Sequence, residues 1–143
     1  MSFRRSAVSG QRLTILLVDD EPAQLELWKT LLLRAGYDVC CAEGGMEALL
    51  LLSQGIDCVV TDYHMPGVTG LDLIRRCAHP SGPRFIMLTG GAAQEVWHEA
   101  LSAGASRVLA KPTSIQTVVG AIEQACWHVP HVAPAGATWT VRA

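Results

Sequence analysis

The sequence predicts an α/β fold in which a parallel sheet of five strands is covered by helices on both faces. Two observations predict it. Short β-branched or aliphatic runs alternate with longer segments of helical period, and the runs are nearly continuous in apolar residues, as parallel strands buried on both faces require. The first strand is read at 13–18 (LTILLV), and Leu25, Trp28, Leu32 and Ala35 then recur at helical spacing as far as Gly36. A second strand at 38–41 (DVCC) leads into a helical segment that stops at Gly55. The third strand, 57–61 (DCVVT), precedes a helix carrying Leu71, Ile74 and Ala78. The fourth, 84–88 (RFIML), precedes a helix closed by Gly104, and the fifth, 106–110 (SRVLA), precedes Ile115, Val118, Val119 and Ile122 on the last helix. Glycine at each of those three stops suits a left-handed C-terminal cap. Five βα units thus occupy residues 12–128. Residues 1–11 and the Pro-, Ala- and Gly-containing 129–143 are expected as a loose N-terminal segment and a flexible C-terminal tail.

Composition narrows the function classes. In 143 residues, 50% hydrophobic and 17% charged, there is enough apolar material for one two-sided core and too much for a disordered chain. The net charge of −2, with no basic cluster beyond Arg4-Arg5 and Arg75-Arg76, offers no electrostatic footprint for nucleic acid. The longest aliphatic runs, such as ALLLL at 48–52, are far too short for a membrane span. No signal peptide is recognisable, so a cytoplasmic location is expected. Five cysteines without CxxC spacing fit reduced thiols, with Cys40, Cys41, Cys58 and Cys77 acting as small hydrophobes.

Nearly all the conspicuous polar residues fall at one end of the expected sheet. Asp19 and Asp20 follow the first strand, Asp62 the third, Thr89 the fourth and Lys111 the fifth. Ligands of open parallel sheets bind outside the carboxyl ends of the strands, where the strand order reverses. If that order is 2-1-3-4-5, the first and third strands are neighbours and three carboxylates converge. Each feature has an ordinary reading. DDEP makes a good helix start, with an Asp cap, an acidic first turn and Pro22; TGG can be a turn and KP the beginning of a helix. It is the coincidence at four strand ends that favours chemistry. Two carboxylates 4 Å apart repel by about 4 kcal/mol at an effective dielectric of 20, so three together require a cation. Oxygen ligands without clustered His or Cys favour a hard ion such as Mg²⁺ (or Mn²⁺). A carboxylate beside that ion and a lysine can attack phosphorus, which would make Asp62 an aspartyl phosphate, Thr89 a hydroxyl donor to it and Gly90-Gly91 the hinge of a moving loop.

These residues resemble the receiver domains of two-component response regulators. LLVDDEP, VVTDYHMPGVTG, IMLTG and GASRVLAKP occur in that family's order over about 12–128. The resemblance implies a flavodoxin-like sheet in the order 2-1-3-4-5. It implies Asp62 as phosphoacceptor, and Asp20 as a direct Mg²⁺ ligand with Asp19 acting mainly through water. The Asp62 carboxylate and the His64 backbone carbonyl complete the metal set, Thr89 is the switch hydroxyl, and Lys111 grips the phosphoryl group before a cis Lys111-Pro112 bond. The implied function is phosphorelay signalling. A histidine kinase or histidine phosphotransfer protein donates the phosphoryl group, an unknown downstream protein reads the switch, and the domain is no enzyme beyond self-phosphotransfer and autodephosphorylation. Two departures stand out: Val108 replaces the usual aromatic three residues before the lysine, and Thr113 stands where many relatives have Phe.

Other readings are weaker. A haloacid-dehalogenase-type phosphatase needs a second Asp where His64 stands, and a flavin binder needs a phosphate loop where DDEPAQ is acidic. The remaining alternatives are a receiver-shaped interaction module that works without phosphorylation, or a receiver excised from a larger hybrid kinase or regulator. About fifteen residues follow the last helix, too few for an output module, and the natural-looking N-terminus favours the expectation of a stand-alone receiver over an excised one. The His64 side chain is expected at the mouth of the site; His79, His98, His128 and His131 are expected as surface residues.

Overall fold

The computed structural model describes residues 12–91 and 93–128, except the side chains of Trp127 and His128. The expected loose ends at 1–11 and 129–143, with His131, lie outside the described residues. So does Ala92.

Alternation places the core on two sides of one sheet. The strands are β1 (Thr14–Val18), β2 (Asp38–Ala42), β3 (Cys58–Asp62), β4 (Arg84–Thr89) and β5 (Arg107–Ala110). All pairs are parallel, in the order β2-β1-β3-β4-β5. Side chains of a strand point to opposite faces in turn. Ile15, Leu17, Cys58, Val60, Ile86, Leu88 and Leu109 therefore share one face, and Leu16, Val18, Val59, Phe85, Met87 and Val108 the other. The first face is covered by α1 (Pro22–Arg34) through Leu25 and Leu32, and by α5 (Ile115–His128) through Val118 and Ile122. The second packs against α2 (Gly45–Leu51), α3 (Gly70–Cys77) and α4 (Gln94–Ala103), with Ala48, Leu71, Ile74 and Ala100 buried. Each fully buried Leu, Ile or Phe contributes roughly 1.5–3 kcal/mol, which is why the central strands tolerate so little polarity. Among the described residues only Thr61, Asp62 and Thr89 are buried polar residues, and two of them end strands at the carboxyl edge.

Strand limits fall within one residue of those expected. Gly36, Gly55 and Gly104 all take positive φ. Gly104 is doubly constrained, since φ is +123° and a Cβ there would lie 2.7 Å from Ala78 Cβ, where α4 ends against α3. The start of α1 differs from expectation. Its N-cap is Glu21, in extended conformation and without a side-chain cap, and the first turn carries no acid. The physical reason is that the acidic pair stays outside the helix: Asp19 Oδ1 accepts the Glu21 N–H at 2.9 Å, which fixes the approach to the helix from one residue further back. Among the described residues no helix is long and apolar enough to cross a membrane. All five cysteines are free; Cys58 and Cys126 are buried, whereas Cys40, Cys41 and Cys77 are half-buried at the edges of the two cores.

Candidate functional site

Strand pairing brings the separated carboxylates together. β1 and β3 are neighbours in register from Ile15↔Cys58 to Val18↔Thr61, so the residues that follow Val18 emerge beside Asp62. Asp19, Asp20 and Asp62 each offer a carboxylate oxygen within 4.8 Å of the others. Asp62 is buried (7% exposed). On its other side β4 and β5 end together, Thr89 opposite Ala110, and the Lys111 N–H donates to the Thr89 carbonyl at 2.9 Å. That junction delivers Lys111 Nζ to 2.9 Å from Asp62 Oδ1, the shortest ion pair among the described residues. No hydrogen-bond donor is otherwise aligned on that oxygen among the described residues. The Lys111–Pro112 bond is cis, as the resemblance implies.

The electrostatics are unbalanced: three carboxylates face one ammonium. Burial raises the Asp19 carboxyl above its ordinary value, and the Asp62 and Asp20 charges push the same way against the Glu21 N–H and Lys111. A divalent cation would offset this imbalance. The donor set is oxygen alone, which suits a hard ion.

The loop after Asp62 is held as firmly as the strand. Thr61 Oγ1 donates to the Asp62 carbonyl at 3.0 Å, and the Gly70 N–H donates to the Tyr63 carbonyl at 3.2 Å. A Cβ at Gly70 would overlap the Asp62 carbonyl oxygen, so only glycine lets α3 start this close to the strand end. Thr69 and Asp72 form a capping box on that helix: Thr69 Oγ1 accepts the Asp72 N–H at 3.1 Å, and Asp72 Oδ2 accepts the Thr69 N–H at 3.0 Å. His64 is exposed, and its ring meets Tyr63 edge-on with centroids 4.7 Å apart. Its side chain borders a surface hollow with Tyr63, Met65, Pro66 and Thr69. The His64 backbone carbonyl accepts no backbone hydrogen bond among the described residues.

Two spaces adjoin the carboxylates. A cavity of about 10 Å³ lies between α1 and the sheet, lined by Asp19, Gln24, Trp28, Asp62 and Leu88 among others. An open groove of about 490 Å³ runs past Glu21, Leu27 and Trp28 to Gly90, Lys111 and Thr113. The structure therefore brings Asp19, Asp20, Asp62 and Lys111 into one pocket and sets Thr89, 1% exposed, at the end of the adjoining strand. Sequence reasoning passed over Gln24. No local signal marks it, because its place beside Asp19 and Asp62 arises only when α1 is docked on the sheet.

The chain is similar to known proteins in sequence and fold. The family model of the response regulator receiver domain matches residues 15–123. The chain is 32% identical over 116 residues to the sensory/regulatory protein RpfC of Xanthomonas campestris, covering 77% of this chain but 16% of RpfC. It is 32% identical over 117 residues to the chemotaxis protein CheY-3 of Vibrio cholerae, covering 78% of this chain and 90% of that protein. Among solved structures, a response regulator receiver domain protein from Clostridium thermocellum superimposes with a TM-score of 0.79 at 30% identity, over 85% of this chain and 99% of the other.

Proposed function

The chain belongs to the response regulator receiver domain family, and from that premise we propose that its residues 12–128 accept a phosphoryl group on Asp62. The family is a phosphoacceptor of two-component phosphorelay signalling rather than a classical enzyme, and it binds Mg²⁺ through acidic residues. What carries the residue assignment is a buried carboxylate, Asp62, 2.9 Å from the Lys111 ammonium and within 4.8 Å of two further carboxylates.

In this reading the donor is the phosphohistidine of a histidine kinase or histidine phosphotransfer protein. An Asp62 oxygen bonds to phosphorus as the phosphorus–nitrogen bond breaks, and the electron pair leaves with the imidazole. Lys111 shifts from the carboxylate to the new phosphoryl oxygens. Thr89 donates its hydroxyl to the same group, and burial keeps the carboxylate free of competing donors. Asp19, Asp20, Asp62 and the His64 carbonyl would hold Mg²⁺ or Mn²⁺, with Asp20 direct and Asp19 acting mainly through water. When bound, that ion neutralises charge gathering on the phosphoryl oxygens. The donor approaches over the groove beside Lys111, where Leu27 is 52% exposed and offers apolar contact. The reading places the chain in the cytoplasm with its kinase, and a downstream protein reads the phosphorylated surface. The acidic pocket is assembled in full, which favours a phosphorylated receiver over a module that binds constitutively.

Labelling tests it. With acetyl phosphate and Mg²⁺ the chain should gain one acid-labile phosphoryl group by intact mass, and Asp62→Asn none. Equal labelling of the variant sinks the assignment.

A further inference from the structure

Gln24 occupies the third position of α1, where a glutamine ordinarily reaches back to cap the N–H of the N-cap residue. Here that role is taken: the Glu21 N–H already donates to Asp19 Oδ1 at 2.9 Å, and no side-chain cap is made. The half-buried Gln24 carboxamide has no hydrogen-bond partner among the described residues. It instead lines both spaces at the site, the small cavity with Asp19 and Asp62 and the open groove with Gly90 and Lys111.

The chemistry of that position is specific. Around Asp62 the other polar side chains are committed elsewhere: Asp19 and Asp20 are drawn to a cation, Lys111 donates only, Thr61 Oγ1 donates to the Asp62 carbonyl, and Thr89 is assigned to the phosphoryl group. A carboxamide is neutral, carries an acceptor oxygen and two donor hydrogens, and can hold water without competing for the phosphoryl group. Displacement at phosphorus runs in line, so a water that hydrolyses an aspartyl phosphate must lie across the phosphorus from the Asp62 oxygen, on the open side of the pocket. Gln24 borders the cavity that Asp62 lines and also the open groove that Lys111, the ion-pair partner of Asp62, lines, so its carboxamide stands between the carboxylate and solvent.

We propose that Gln24 is a catalytic residue of self-dephosphorylation, orienting the water that ends the signal. The inference rests on the reading of Asp62 as phosphoacceptor. Gln24 Oε1 accepts a hydrogen bond from the water. The water oxygen bonds to phosphorus as the bond from phosphorus to the Asp62 oxygen breaks, and that electron pair restores the carboxylate. Both water protons stay with the product, one on the oxygen newly bonded to phosphorus and one passed to a phosphoryl oxygen, so that dihydrogen phosphate leaves.

The test is the decay of a labelled pool. The chain, Gln24→Leu and Gln24→Ala are phosphorylated with acetyl phosphate and Mg²⁺, the donor is removed, and remaining label is followed by intact mass, so that differences in labelling rate drop out. Both variants should keep the label about 10- to 100-fold longer, the scale expected when a reacting group loses its orientation. The sign is diagnostic, because a merely structural role would loosen the pocket, admit water and shorten the lifetime. An unchanged or shortened lifetime in both folded variants overturns the proposal. A wild-type chain that takes no label overturns this inference and the Asp62 reading together, whereas label with an unchanged lifetime removes only the role of Gln24.

Discussion

The two ends of the sheet handle charge in opposite ways. At the amino end, Arg12 lies 3.3 Å from Asp38, the Asp57 carboxylate accepts the Thr14 N–H at 2.8 Å, and the Arg107 guanidinium donates to Gln124. At the carboxyl end, three carboxylates share one ammonium. The amino end is an exposed surface of matched partners, worth little individually. The carboxyl end keeps an imbalance beside a buried strand terminus, where water screens it less. A charge cluster that the fold alone leaves uncompensated is one that binding or chemistry must compensate, and this distinguishes Asp62 from Asp57, although both are aspartates on the same stretch of chain.

Melting the two ends against each other is the strongest way to break the comparison. Asp20→Asn should stabilise the metal-free chain by about 1 kcal/mol, since Asp20 is exposed and only part of the repulsion survives in high dielectric. Wild type should gain about 2.7 kcal/mol from Mg²⁺ at a hundredfold excess over its dissociation constant, and the variant should lose most of that gain. Asp57→Ala should do the reverse, losing about 1–2 kcal/mol with its charge-assisted hydrogen bond while keeping the full Mg²⁺ response. Asp62→Asn is a less clean probe of repulsion, because it also removes the 2.9 Å pair with Lys111. Thermal melts with and without Mg²⁺ decide the matter; equal metal responses in wild type and Asp20→Asn would dissolve the contrast.

How much of this was legible in the sequence follows from the same contrast. The strands were readable because Ile15/Leu17 and Leu16/Val18 serve opposite cores, which forces both sets to be apolar. Asp19, Asp20, Asp62 and Lys111 were readable because strand ends are where a doubly buried sheet can admit charge. What escaped depends on contacts between elements. Glu21 replaces an aspartate as the N-cap because the Asp19 oxygen reaches forward two residues, and no propensity encodes that preference. Gln24 looked like any polar residue in a first turn until the groove on one side and the cavity on the other were in place. The closeness of Gly70 to the Asp62 carbonyl likewise arises only when α3 is docked.

A smaller effect sharpens the comparison from within the carboxyl end. Asp72 lies near the site in sequence, yet its carboxylate is satisfied by the Thr69 N–H, and that bond holds its pKa below the ordinary value of 3.8. A carboxylate whose folded pKa is lowered stabilises fully above its unfolded pKa, and that contribution is lost as pH falls through the folded value. Asp72→Ala should therefore lower stability by about 0.5–1 kcal/mol at neutral pH. The gap to wild type should close as pH drops below the ordinary carboxylate range, and the Mg²⁺ response should persist. A gap that widens on acidification contradicts the capping account. So would loss of the metal response.

The last effect concerns how the carboxyl end informs the rest of the molecule. Val108 is buried in the same core as Met87, Phe85 and Ala100, its backbone paired with Met87 on β4. A valine has one stiff torsion and no ring to swing inward, so a movement of Thr89 towards a phosphoryl group has no aromatic partner at that position. Trp97 of α4 packs against this core and borders a hollow of about 380 Å³ with Gln94, His98 and Leu101, which leaves it room to respond. Phosphorylation is therefore expected to act through residues 89–91 and the start of α4. A coupling of about 1–3 kcal/mol is enough to change partner affinity roughly 5- to 150-fold. Trp97 emission, read as the difference between the chain and its Trp97→Phe variant, should change on phosphorylation. In Thr89→Ala, Asp62 should still take label, more slowly, while the emission change disappears. If amide exchange across 89–101 stays constant on phosphorylation and the segment around Val108 responds instead, the signal leaves the site through β5, and the loop after Thr89 is a bystander.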